Sequence, residues 1–151
     1  MTVKTLLIDE SEFIDFQLYG IATVFSDSPQ FIYNVNLHFQ TKFERIKDLD
    51  VLIENQMAYY PIYEWEDEES QNLYHIVKNS AYILNSNQNL SNLSTLFDVT
   101  PTLIPQHKEY NYFLRIGMES SEPIPLHENN FIQKITELET SKIKSISRLI
   151  F

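Results

Sequence analysis

The stretch from Tyr110 to Met118, YNYFLRIGM, constrains this chain more than any other. Its aromatic and branched side chains predict the most clearly marked β-strand in the sequence. Alternation along a strand puts Tyr110, Tyr112, Leu114 and Ile116 on one face, which is uniformly apolar and must be buried. Asn111, Phe113 and Arg115 share the other face, where Phe113 is expected beneath a helix or in a partner site. Just upstream, Pro105 restricts Ile104 to an extended conformation and favours a turn across the polar residues 106–109. Asn111, between two tyrosines, is expected to bond neighbouring backbone more readily than a ligand.

The rest of the chain is read around this strand. Segment 13–25 has the composition of a strand, with Phe16, Leu18 and Gly20 alternating with Gln17 and Tyr19. Ser28 as cap and Pro29 at the first helical position then predict a helix to about Gln40. Phe31, Val35 and His38 form one apolar stripe of that helix, with Ile32 and Phe39 beside it. A short strand is expected near Phe43–Ile46, followed by a connection. Residues 58–66 and 72–84 look like a hairpin about the polar turn 67–70, with Pro61 favouring an edge position for its first strand. The Ser/Asn-rich segment 85–97 reads as a loop pinned by Leu93, Leu96 and Phe97. A short strand is expected at 100–105 and a loop at 119–125. A second helix is expected over 127–140, with Phe131, Ile132, Ile135 and Leu138 on one face. Residues 143–151 suit a closing strand or a helical continuation. The expectation is one α+β domain spanning residues 1–151, a mostly antiparallel sheet with two principal helices.

Composition narrows the chemistry. A chain of 151 residues buries about 70% of its unfolded surface, and ten Phe with nine Tyr give it ample core material. The absence of cysteine removes disulfides, thiolate zinc sites and cysteine catalysis, and suits a reducing compartment. No apolar run approaches the roughly 20 residues of a membrane span, and Leu6–Ile8 is too short for a secretory signal, so the chain is read as cytoplasmic. Gly20 and Gly117 are the sole glycines, which excludes the glycine-rich phosphate cradles. His38, His75, His107 and His127 show no metal-ligand spacing, and no nucleophile elbow is present, so no catalytic residue, metal or cofactor is assigned. His75 is read as a hydrogen-bonded structural imidazole.

The net charge of −10 and the lack of a basic run argue against direct nucleic-acid binding. Tyr59, Tyr60, Tyr63 and Trp65 could stack bases, but Glu64, Glu66 and Asp67 flank them, the opposite of a single-strand groove. Tyr63, Trp65, Glu66 and Asp67 are instead candidates for a protein-contact surface.

Ile104-Pro105-Gln106, three residues, then Tyr110-Asn111-Tyr112 resembles the signature of the bacterial IPExxxVDY family. Ile104, Pro105, Tyr112 and the spacing are kept. Gln106, Tyr110 and Asn111 stand where the family has Glu, Val and Asp. Looser likeness extends through Gly20, the Ser-Asp-x-Pro-led helix, 48–50, 74–79 and 96–97. The family has no established activity, so the resemblance implies a fold rather than a mechanism. Proteins that it resembles are often encoded near a double-strand-specific ribonuclease and near glycolytic or fatty-acid enzymes, which implies a neighbourhood and not a mechanism. Replacing both carboxylates by uncharged side chains removes any acid–base use of those positions and leaves a structural one. Three readings follow: an acidic, non-catalytic protein-interaction protein; an acidic regulator covering the basic surface of an RNA-processing enzyme; and an enzyme with a carboxylate beside His75 or His107.

Overall fold

The computed structural model describes residues 15–82, 101–117 and 123–151. The expected loop 85–97 with its pins Leu93, Leu96 and Phe97 lies outside the described residues, as do residues 1–14, 83–84, 98–100 and 118–122.

The strand expected at 110–118 is β7 (Tyr112–Gly117), and it lies inside a six-stranded antiparallel sheet. Beside it run β1 (Phe16–Thr23) and β6 (Leu73–Lys78). Outside these lie β8 (Ile132–Leu138) on one side and β5 (Ile62–Glu66) followed by β2 (Glu44–Arg45) on the other. A separate hairpin pairs β3 (Leu49–Ile53) with β4 (Gln56–Tyr60).

Both faces of the sheet are covered, which is why β7 reads as an almost unbroken apolar run. On one face lies α1 (Ser28–Phe39), burying Phe31, Ile32 and Val35 against Ile21, Ile76, Tyr112, Leu114 and Ile116. His38, expected on that stripe, is exposed. The Phe31 and Tyr112 rings stack at 4.3 Å, a contact worth about 0.5–1.5 kcal/mol beyond the area it buries. The other face packs Leu18, Ile62, Val77 and Phe113 under the β3–β4 hairpin and the C-terminal residues Ile143, Ile146 and Leu149. Phe113 is therefore fully buried on the face opposite α1, not beneath it. Tyr110 precedes the strand and joins Phe113 on that second face instead of continuing the Tyr112 row.

The fold is α+β, with one α-helix among the described residues where two were expected. Residues 127–140 hold β8, and the reason lies in its pairing. Ala22 faces Lys134 while Thr23 faces Ile132, so Gln133 is an extra, bulged residue. The bulge lets Ile132 and Ile135, three apart, share one face, whereas Leu138 packs on the other. A helix-like spacing thus belongs to an irregular strand. Residues 143–151 form neither a strand nor an α-helix but a 3-10 turn at Ile146–Leu149. The strand expected at 100–105 reduces to one bridge, Ser80 to Thr102, and a 3-10 turn at Pro105–His107.

Pro61 divides the run 58–66 between two sheets, leaving β4 with β3 and β5 with β6. The β3–β4 hairpin replaces the expected connection. It turns on Glu54 and Asn55, both at positive φ (49° and 66°), as a two-residue turn of the primed type requires. At the start of α1 the cap is Asp27, whose carboxylate accepts from the Gln30 N–H, and not Ser28. No helix of the described residues is long and apolar enough to cross a membrane.

Candidate functional site

The residues of the Ile104–Tyr112 motif meet in one place, and the side chain that gathers them is Asn79. This asparagine follows β6 and is buried. Its Nδ2 donates to the carbonyls of His107 (3.0 Å) and Tyr110 (2.9 Å), and its Oδ1 accepts from the Ile104 N–H (3.0 Å). Its backbone accepts from Leu103 N–H and donates to the Asn111 carbonyl. The turn therefore satisfies its buried polar groups through one amide at the end of a neighbouring strand. Ile104 is extended and fully buried, as the following proline dictates, and Pro105 opens the 3-10 turn.

Gln106, Tyr110 and Asn111 each have a use. Gln106 grips the C-terminal segment from both ends of its amide, donating to the Lys142 carbonyl (3.1 Å) and accepting from the Lys144 N–H (2.7 Å). A carboxylate could do only the second. The Tyr110 ring lies over Gly20, where a Cβ would come within 2.5 Å of it, so Gly20 is required by close approach. Asn111 fastens the motif to β1: its N–H donates to the Ile21 carbonyl, and its Oδ1 accepts from the Thr23 N–H at 2.8 Å. Tyr112, on the α1 face, is buried under Phe31 and donates to the Ser26 carbonyl. Burial pushes its phenol well above the ordinary value, with Tyr63 and Asp27 adding to the shift.

A second polar constellation crosses the opposite face. Strand register places Glu44, Glu64, His75 and Arg115 in one row on successive strands β2, β5, β6 and β7. His75 Nε2 meets Glu64 Oε2 at 2.8 Å, and its Nδ1 faces an Arg115 nitrogen at 3.4 Å. Arg115 donates through Nε to the Leu149 carbonyl (3.0 Å) and lies between the Phe16 and Phe151 rings, 4.4 and 4.5 Å from their centres. Burial lowers the His75 pKa from its ordinary value; the Glu64 hydrogen bond opposes this and the Arg115 charge adds to it. At neutral pH the ring is then uncharged, with Nε2–H donating to Glu64 and Nδ1 facing Arg115. Both nitrogens are engaged, and the Phe151 ring stands edge-on against the imidazole. This arrangement ties the C-terminus to the sheet. His107 lies apart, beside Tyr110, with its Nδ1 3.5 Å from Glu109 Oε1, too long for a firm hydrogen bond. Among the described residues no three His, Asp or Glu side chains gather as a metal set.

The four expected contact residues sit at one corner but differ in exposure. Tyr63 is buried, its hydroxyl bonded to Ser28. Trp65 is half-buried, stacked on Tyr74 at 5.0 Å with Phe43 at its edge. Glu66 is exposed, and Asp67 shapes the β5–β6 turn by accepting from the Glu69 N–H and the Ser70 hydroxyl. Glu44, which sequence reasoning missed, faces Glu64 across β2 and β5 and extends this acidic corner along the sheet edge. Its recruitment depends on strand pairing, which no local pattern reveals. Asn79 was missed for the same reason. No family model, curated protein or solved structure matches this chain.

Proposed function

We propose that this chain is a small, acidic, non-catalytic interaction protein of the cytoplasm that binds a basic protein partner through the β2–β5 corner. One observation carries the reading: Glu44 and Glu64 stand directly opposite one another at the sheet edge, and Glu66 continues the line towards the exposed tip residues Glu68 and Glu69. Like charges directly opposite across strands are destabilising, a repulsion that a cationic partner relieves. β2 covers the outer edge of β5 over two residues, so on that edge Trp65 and Glu66, paired with β6 on their other side, have no strand beside them among the described residues. Open backbone groups next to carboxylates suit an extended basic segment, and half-buried Trp65 gives it an anchor. The likeness to the IPExxxVDY signature fits this reading, since the motif residues here serve to hold a turn.

The same carboxylate ridge supports a second reading, in which the partner's basic surface is the RNA-binding surface of an RNA-processing enzyme. Tagged capture from native cells at low and high salt tests both. Wild type is run beside Glu44→Gln/Glu66→Gln and beside Glu54→Gln/Glu137→Gln, which removes equal charge elsewhere. The reading expects one stoichiometric partner, lost at high salt and lost from the corner variant alone. Release of that partner by added RNA supports the second reading. Equal capture by both variants, or no partner, contradicts the proposal.

A further inference from the structure

A cleft of about 180 Å³ opens beside the Asn79 clamp, past the end of β6 and on the same side of the sheet as Tyr112. Among the residues that line it are two lysines, Lys78 and Lys108, together with Ser26, Ser80, Thr102 and Asn111. No carboxylate lines it among the described residues. That is an unusual concentration in a chain with 21 acids and 11 bases. Neither lysine makes an ion pair within 4 Å among the described residues, whereas Lys142 and Arg45 do. Of the acids next to lining residues in the chain, Asp27, beside Ser26, caps α1, and Glu109, beside Lys108, has its carboxylate 3.5 Å from the His107 ring.

We propose that this cleft binds a small phosphorylated ligand. The lining gathers two lysines, free of ion pairs among the described residues, with three hydroxyl-bearing residues and an asparagine around one concave space. A carboxylate has two oxygens and lies flat. A phosphate monoester presents three charged oxygens in a pyramid, which matches cations and donors arriving from several sides. The donors also come from separated parts of the chain: Ser26 from the lead into α1, Lys78 and Ser80 from the end of β6, Thr102 and Lys108 from either side of the 3-10 turn. Asn79 bonds Ile104, His107 and Tyr110, which lie close to these last two in the chain, to the end of β6, so the clamp fixes this wall of the cleft before any ligand arrives. The Ser80–Thr102 bridge sets two of the hydroxyl-bearing residues on paired backbone. The phosphate would be held without a glycine-rich loop, by side chains in place of a backbone cradle. This inference is independent of the acidic corner.

Inorganic phosphate is the probe. It is titrated into the full chain at constant ionic strength, with chloride as the control, and followed by amide chemical shifts. The proposal expects saturable shifts centred on Ser80, Thr102, Lys108 and Asn111. Lys108→Met, at an exposed position, should weaken binding about tenfold, the effect of losing one charge-assisted contact. Lys78→Met should do the same, and Lys47→Met, outside the cleft, should leave it unchanged. A melting curve checks that each variant is folded, and Lys108→Met decides alone should Lys78→Met not fold. Absence of saturation, shifts centred elsewhere, or equal weakening by Lys47→Met would overturn the proposal.

Discussion

Replacing Asn79 by alanine should cost far more than a polar-to-small change usually does. Three hydrogen bonds of 3.0, 2.9 and 3.0 Å end on this one side chain, which is 2% exposed. An ordinary hydrogen bond contributes about 0.5–1.5 kcal/mol net, but a buried group left without its partner costs about 1–3 kcal/mol. Asn79→Ala strands the Tyr110 carbonyl and the Ile104 N–H in buried surroundings, while the His107 carbonyl loses one of two bonds and keeps the one from the Tyr110 N–H. Together these give a loss of about 3–5 kcal/mol, a large share of the roughly 5–15 kcal/mol expected for a domain. Urea unfolding with an unchanged denaturant slope measures it. Asn79→Asp sharpens the test, since it keeps an acceptor for Ile104 N–H but turns an anionic oxygen towards two carbonyls. It should be at least as damaging as alanine. A loss below about 1 kcal/mol for Asn79→Ala, or a milder effect of Asn79→Asp, would refute the clamp.

Three further outcomes follow from the same geometry. Gly20→Ala forces its Cβ to within 2.5 Å of the Tyr110 ring and should cost about 1–3 kcal/mol; adding Tyr110→Ala should make the double change cost less than the sum, read by thermal unfolding. Gln106→Glu keeps the bond from Lys144 N–H but loses the one to Lys142, and should lower stability by about 0.5–1 kcal/mol with faster amide exchange over 142–149. His75 has a folded pKa below its ordinary 6.5, so the unfolded chain binds the extra proton first. Its contribution is full above pH 6.5 and is lost as pH falls from there through the lower folded value. The stability difference between wild type and His75→Gln should therefore shrink on acidification, and a difference that grows would contradict the burial of a neutral ring.

The central strand and α1 were legible because local and tertiary signals agree there. β7 is apolar on both faces since the sheet is covered on both, and Pro29 stands just inside the helix start. The remainder depended on partners far away in sequence. β8 borrows a helical spacing through its Gln133 bulge, which exists only against β1. The β3–β4 turn carries Glu54 and Asn55 where a sequence reader looks for glycine. Ser28 suits a cap but is drawn to Tyr63, leaving the cap to Asp27. The motif at 104–112 announced a turn, while the residue that holds it, Asn79, looked like the polar end of a strand. In the candidate site the acidic character of 64–69 was plain, but Glu44 joined it through strand register alone.

The proposed binding surface is the β2–β5 corner. The most direct test is the affinity of the captured, purified partner for wild type, Glu44→Gln/Glu66→Gln and Glu54→Gln/Glu137→Gln across a range of salt. Two lost ion pairs at a partly exposed interface should weaken binding by roughly fivefold to tenfold. That loss, with a flattened salt dependence, is expected in the corner variant alone. Equal affinity and equal salt dependence in all three proteins would contradict it.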